Sequence, residues 1–192
     1  IHSFCLQRIL AQYGPLYRGV VVLDDAARIG LIHKHYRRLG IRAAVDEYLE
    51  RVEDDEARKQ LRWLDRYEQA DLFADTVDIV REECILLDSQ KRRYLRRKCP
   101  ALVAALEAYD ELLREEGLID YSAMQYWAVE MLERHPEIRR DVRRRIRHLL
   151  VDEFQDINTV QMRLIKNLVG RNTGLFAVGD DDQAIYRWRG AD

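Results

Sequence analysis

No apolar run in this sequence approaches the ~20 residues that a membrane-spanning helix requires, and a secretory leader is not expected. Cysteine is scarce. Cys5, Cys84 and Cys99 are an odd number at wide spacing, which suits neither a disulfide framework nor a metal ribbon. Reduced, buried thiols in a cytoplasmic protein are expected. An excess of one charge sign is missing as well: 32 Lys and Arg stand against 34 Asp and Glu, a formal net charge of −2. Any basic footprint for nucleic acid must therefore be local. Internal repeats and low-complexity segments are absent. Methionine does not open the chain, which runs from Ile1 and stops inside "RWRGAD"; an internal piece of something longer is expected.

What is present can form a core. The 192 residues are 47% apolar and 34% charged, room for one domain or one plus a subdomain, soluble and helix-rich. "IHSFCLQRILAQYG" reads as a helix with Phe4, Ile9 and Leu10 on one side, stopped at Gly14-Pro15. "VVVLDD" is a short β-branched run into Asp24 and Asp25, either of which can cap the helix "AARIGLIHKHYRRLG". Gly40 supplies that helix's stop. From Ala43 to about Leu87 the pattern is long and helical, with fourteen acids against six bases between Asp46 and Glu83. "SQKRRYLRRKCP" then turns strongly basic and breaks at Pro100. This middle is either a surface that meets a partner or a set of solvated helix faces. A further helix, "ALVAALEAYDELLREEG", carries Leu102, Leu106, Tyr109 and Leu113 at helical spacing and ends at Gly117.

Another helix is expected from Tyr121 to Glu133, and Pro136 suits the first turn of the next. Residues 134–147 hold seven arginines against two acids. They are either a patch for DNA or the exposed face of a helix with Ile138, Val142 and Ile146 turned inward. Then the period changes. "HLLVDE" reads as a buried-type strand, "TVQMRLIKNLVG" as a helix and "GLFAV" as a second buried-type strand. Strand, crossover helix, strand is the grammar of a parallel sheet.

Open parallel sheets bind ligands beyond the carboxyl ends of their strands. Both strands end in acids: Asp152-Glu153 after "LLV", and Asp180-Asp181-Asp182 after "FAVG". An aspartate placed there can hold Mg²⁺ against bound phosphates, and a neighbouring glutamate can orient or deprotonate a water. Gln183 follows with a neutral group able to bond both a phosphate and a water. Tyr186 and Trp188, spaced by two, present both rings to one side of an extended segment, where bases can stack. Arg187 and Arg189 alternate with them and suit a phosphate backbone.

"LLVDEFQDINTVQ" followed by "VGDDDQAIYRWRGA" resembles the Walker B motif and motif III of superfamily 1 DNA helicases of the UvrD/Rep/PcrA group. "IHSF" is similar to that family's Thr-Phe-His-Ser segment. "VVLDDAARIGLIHKHY" is similar to the stretch that opens its inserted helical subdomain, and "YDELLREEGLIDY" to the segment that returns from it. The resemblance implies an α/β fold, a partial RecA-like P-loop NTPase domain with a parallel sheet and a mainly helical inserted subdomain. Residues 1–18 and 117–192 would belong to the first RecA-like domain, and 19–116 to the insertion. It implies ATP and Mg²⁺ as cofactors, with Asp152 holding the metal and Glu153 activating the hydrolytic water. Gln183 would sense the γ-phosphate. Tyr186 and Trp188 would stack on single-stranded bases, Arg189 would contact the strand, and His2 and Ser3 would lie near the DNA path. Gln155 and Asp156 would position the Walker B turn. Single-stranded and duplex DNA and a second RecA-like domain of the intact chain are the implied partners, and the implied activity is unwinding, 3′ to 5′, in DNA repair or replication.

Departures set limits. Asp120-Tyr121-Ser122-Ala123-Met124 stands where the family usually has Asp-Phe-Asp-Asp-Leu, so Asp120 is expected to serve as a helix cap. Ala184 replaces a common serine. No Gly-x-x-x-x-Gly-Lys-Ser/Thr loop occurs in the 192 residues, so on their own they are expected to hydrolyse no ATP. Two rival readings stay open: a helicase subunit of a RecB- or AddA-like helicase-nuclease, and a non-catalytic DNA-binding scaffold descended from a helicase.

Overall fold

A computed structural model describes residues 1–180. Helix α1 runs over residues 2–13, α-helical at His2–Phe4 and Ala11–Tyr13 and π-helical at Cys5–Leu10. Gly14, in extended conformation, ends it before Pro15. Strand β1 (Val21–Val22) leads to Asp24, whose carboxylate accepts from the Ala27 N–H at 2.8 Å and caps α2 (Asp25–Lys34).

The expected stop at Gly40 lies six residues beyond the observed end of α2. Residues 35–40 form turns, in which Tyr36 swings inward and its hydroxyl bonds to Gln69. Gly40, at φ +68°, opens α3 (Ile41–Leu49) instead of closing α2. The long helical pattern expected after it is divided among three helices: α3, α4 (Asp55–Arg62) and α5 (Arg66–Glu82). Acids make the breaks. Asp54 accepts from the N–H groups of Glu56 and Ala57. Asp65 accepts from Tyr67 and Glu68 at 2.7 and 2.9 Å, while Glu68 returns a bond to the Asp65 N–H at 2.7 Å. That is a capping box. Asp88 caps the basic helix α6 (Ser89–Lys98), Pro100 starts α7 (Pro100–Glu115), and Gly117 at φ +64° turns the chain into β2 (Leu118–Ile119). Helices α8 (Tyr121–Arg134) and α9 (Pro136–Arg145) precede β3 (His148–Val151), a turn at Phe154–Asp156, α10 (Thr159–Leu168) and β4 (Gly174–Ala177).

Among the described residues the protein is thus mostly helical with two short parallel strand pairs, β1 with β2 and β3 with β4. The β3–β4 register pairs His148 with Gly174 and Val151 with Ala177, so strand, helix and parallel strand follow one another as the sequence pattern predicts. Burial does not follow the pattern. Residues of β3 alternate between exposed and half-buried, and β4 is exposed throughout. Leu150 and Phe176 are 73% and 62% exposed. A two-stranded sheet covers neither of its outer edges, and alternate side chains point to opposite faces. Only Leu149 and Val151 are half-buried in β3.

The chain divides into two compact units, one of residues 1–19, 81–84 and 121 onward, the other of 20–80 and 85–120. In the first, Ile9 and Leu10 of α1 join Trp127 and Leu132 of α8 and Leu164 and Leu168 of α10 in the core. Arg81 belongs to this unit, where its guanidinium lies 5.7 Å from the Trp127 ring and donates to Ser122 Oγ at 3.0 Å. In the second, α3 packs on α7 around Ile41, Val45, Leu106 and Leu113. Arg28 sits buried inside that unit. It donates to Asp78 at 2.8 Å and to the Ala74 carbonyl at 2.5 Å, and its Nε faces Asp120 at 3.7 Å.

Candidate functional site

The carboxyl ends of β3 and β4 form one cluster. Asp152 and Glu153 follow β3 directly and both are exposed. Asp152 Oδ1 accepts from the Glu153 N–H at 3.0 Å, which leaves Oδ2 open among the described residues. Glu153 has φ +51°, a left-handed conformation that costs a non-glycine residue roughly 1–2 kcal/mol. Backbone bonds on both sides hold it there. The Val178 N–H donates to the Val151 carbonyl, and the Phe154 N–H to the Val178 carbonyl, each at 2.8 Å. Local strain maintained by surrounding bonds is a common property of reactive turns.

Side chains complete the turn. Gln155 Nε2 donates to Glu153 Oε2 at 2.6 Å, and Gln155 Oε1 accepts from the Asp180 N–H at 2.9 Å. Asn158 then starts α10 with a capping box to Gln161, so the acids sit one short turn before a firmly capped helix. Beneath them lies a mainly apolar cavity of about 640 Å³, lined by β3, by Leu164, Ile165 and Leu168 of α10, and by Ile1 and Phe4, with Asp152 and Glu153 at its polar edge.

The donor set suits a hard cation. Mg²⁺ is commonly held by one or two carboxylates plus waters and substrate phosphates, and the open oxygen of Asp152 meets that requirement. Among the described residues no group of three or more His, Cys, Asp and Glu comes together, so an all-protein metal cage is not built there.

The other expected site residues fall in two groups. Ser3 is exposed, and His2 is half-buried with its Nε2 2.6 Å from Gln125 Nε2 and its ring edge-on to Tyr121 at 5.4 Å. Burial holds the His2 pKa below its ordinary value. Gln125 was not anticipated. Its signal is a polar residue inside the apolar stretch of α8, where it is 6% exposed. Gln183, Tyr186, Trp188 and Arg189, together with Arg187, lie outside the described residues.

The arginines of α9 are partly engaged within the fold. Arg143 donates to the carbonyls of Asn167 and Lys166 at 2.7 and 2.9 Å, at the C-terminal end of α10, and Arg145 pairs with Asp141 at 2.7 Å. Val142 is buried, while Ile138 and Ile146 are half-buried. Asp120, expected as a helix cap, stands just before α8, is 1% exposed, and accepts from the Tyr109 hydroxyl at 2.9 Å.

The profile of the UvrD/REP helicase N-terminal domain matches residues 1–192, the whole chain. The chain belongs to that family. The chain is 31% identical over 145 residues to DNA helicase II of Haemophilus influenzae, covering 71% of this chain and 20% of that protein. It is 45% identical over 83 residues to ATP-dependent DNA helicase Rep of Escherichia coli, 43% of this chain and 12% of that one. A probable DNA helicase II homolog of Mycoplasma pneumoniae is 29% identical over 196 residues, 99% of this chain and 25% of that protein. The UvrD/REP-family chain thus spans a quarter or less of the length of these relatives. None of its described helices is long and apolar enough to cross a membrane.

Proposed function

We propose that this chain is part of the ATP-hydrolysing core of a DNA helicase, in which residues 1–18 and 117–192 contribute to a first RecA-like domain and 19–116 form a helical insertion. Membership of the UvrD/REP family over the full 192 residues is the observation that carries the reading. The exposed Asp152-Glu153 pair at the end of β3 supports it. Intact, the protein would couple Mg-ATP hydrolysis to 3′-to-5′ translocation on single-stranded DNA and to duplex unwinding, with a second RecA-like domain closing the nucleotide site.

Asp152, with its open oxygen, would hold Mg²⁺, which when bound would neutralise charge at the phosphates. Glu153 is the general base. Its Oε2 is engaged by Gln155, and Oε1 is left to accept a proton from the attacking water. By its motif, Gln183 senses the γ-phosphate, while Tyr186 and Trp188 stack on bases and Arg189 meets the strand. His2 and Ser3 lie toward the DNA path.

The test is Glu153→Gln in the intact protein. An isosteric amide keeps the shape and removes the base, so ATP and DNA binding should persist while steady-state ATP turnover drops about 10²–10⁴-fold. Near-normal turnover in that variant would sink the assignment of the base.

A further inference from the structure

Gln155 joins the two strand ends through a single planar group. Its amide nitrogen donates to Glu153 Oε2 at 2.6 Å, and its amide oxygen accepts from the Asp180 N–H at 2.9 Å. A side-chain amide offers a donor and an acceptor at fixed spacing, which a carboxylate or an alkyl group does not. The chain approaches the amide closely at Gly179. A Cβ there would lie 2.7 Å from Gln155 Oε1, 3.2 Å from the Gln155 nitrogen and 3.2 Å from Phe154 Cβ. Backbone bonds between Phe154 and Val178, and between Val178 and Val151, fix the peptide groups on either side. Movement of the Asp180 peptide therefore has a short, bonded route to the Glu153 carboxylate, through one side chain.

We propose that Gln155 is a positioning residue that ties the orientation of the Glu153 carboxylate to the position of the Gly179–Asp180 peptide. This rests on the reading of Glu153 as general base. Glu153 is exposed and carries a long side chain. One of its oxygens, held by the amide, orients the other. From Asp180 the sequence continues directly into the Gln183–Arg189 segment assigned above to phosphate and DNA. Asp180 is thus the point at which the strap meets the chain that leads to the segment assigned above to phosphate and DNA.

The experiment uses the intact helicase and follows ATP hydrolysis with and without oligo-dT, nucleotide binding by a fluorescent ATP analogue, and thermal melting. Gln155→Met keeps the length and removes both bonds. Its DNA-stimulated kcat should fall roughly 10–100-fold, as misplacement of a reacting group by about 1 Å can cost. KM for ATP and affinity for the analogue should stay within about threefold, because a group acting on the transition state alone moves kcat and not binding. Gln155→Glu keeps the acceptor for the Asp180 N–H but sets a like charge against Glu153, and should lose kcat at least as severely. Gly179→Ala pushes on the amide from the other side and should reproduce the loss of DNA stimulation.

Two results would overturn the strap. One is Gln155→Met with kcat and DNA stimulation within about twofold of the parent, measured beside a Glu153→Gln variant that has lost turnover; the base then stands and the strap falls. The other is a parallel loss of melting temperature, nucleotide affinity and kcat in both Gln155→Met and Gly179→Ala, which marks a purely structural role. Normal turnover in Glu153→Gln removes the base itself, and the strap with it.

Discussion

Asp120 and Asp152 both stand next to short parallel strands, one in each compact unit, and they are used in opposite ways. Asp120 follows β2, is 1% exposed, accepts the Tyr109 hydroxyl at 2.9 Å and faces Arg28 at 3.7 Å. Asp152 follows β3, is exposed, and accepts the N–H of its own neighbour. A carboxylate taken out of water must have its charge and lone pairs met by protein. Asp120 therefore has no coordination site to offer. A carboxylate left at an open strand end keeps one, and only that kind can serve a ligand. The residue type and its place after a strand are shared; enclosure separates structure from chemistry.

The two aspartate environments should respond oppositely to substitution. Asp152→Asn in the intact protein should lower ATP turnover about 10²–10³-fold, the scale of losing one electrostatic contact in a transition state. Its melting temperature should hardly move, since exposed substitutions usually stay within about ±0.5 kcal/mol. Arg28→Met should do the reverse. Removing one member of a buried charge network costs about 3–5 kcal/mol because its partners remain buried and uncompensated. Chemical denaturation should show that loss, while turnover per folded molecule stays at the parent level. A stable Arg28→Met protein, or a destabilised Asp152→Asn protein with normal turnover, would dissolve the distinction.

The smallest effect sharpens the same point with thiols. Burial pushes Cys5 up to about 12 and Cys84 up to about 11, whereas Cys99 is only half-buried. A raised folded pKa favours the protonated thiol in the fold. That contribution to stability is complete below the ordinary thiol value near 8.5 and is lost as pH climbs toward the raised values. At pH 8 a thiol-reactive dye should label Cys99 first, with Cys5 and Cys84 reacting only as the protein unfolds. Rapid labelling of Cys5 in the folded state would contradict its enclosure.

Local signals carried much of the helical architecture. Asp24 caps α2, Pro100 and Pro136 open helices, and Gly117 turns the chain, each as its residue type predicts. The stretch after Ala43 is instructive because its breaks were legible and its period concealed them. Asp65 and Glu68 form a capping box three residues apart, a start signal set inside an unbroken helical rhythm. The apolar run of β4 misled in the other direction. Four apolar or small residues read as a buried strand, yet a strand's burial depends on what lies against its faces, and "GLFA" is exposed along its length. At the candidate site, the position of Asp152 and Glu153 directly after a strand was legible in the sequence. The bond from the Gln155 amide to Asp180 was not, because Asp180 is 25 positions away along the chain.

The amino-acid sequence by itself determined where several of the helices begin, among them those opened by Asp24, Pro100 and Pro136, which acids follow which strands, and the family to which the chain belongs. Those are properties of a few adjacent residues or of an ordered set of motifs, and they survive without knowledge of the fold. Tertiary structure alone decided that Arg28 meets Asp78 and Asp120, that Gln125 meets His2, and that one amide spans the ends of β3 and β4. These pairings join residues remote in the chain. They depend on distances of about 3 Å, which only the packing of the folded chain can set.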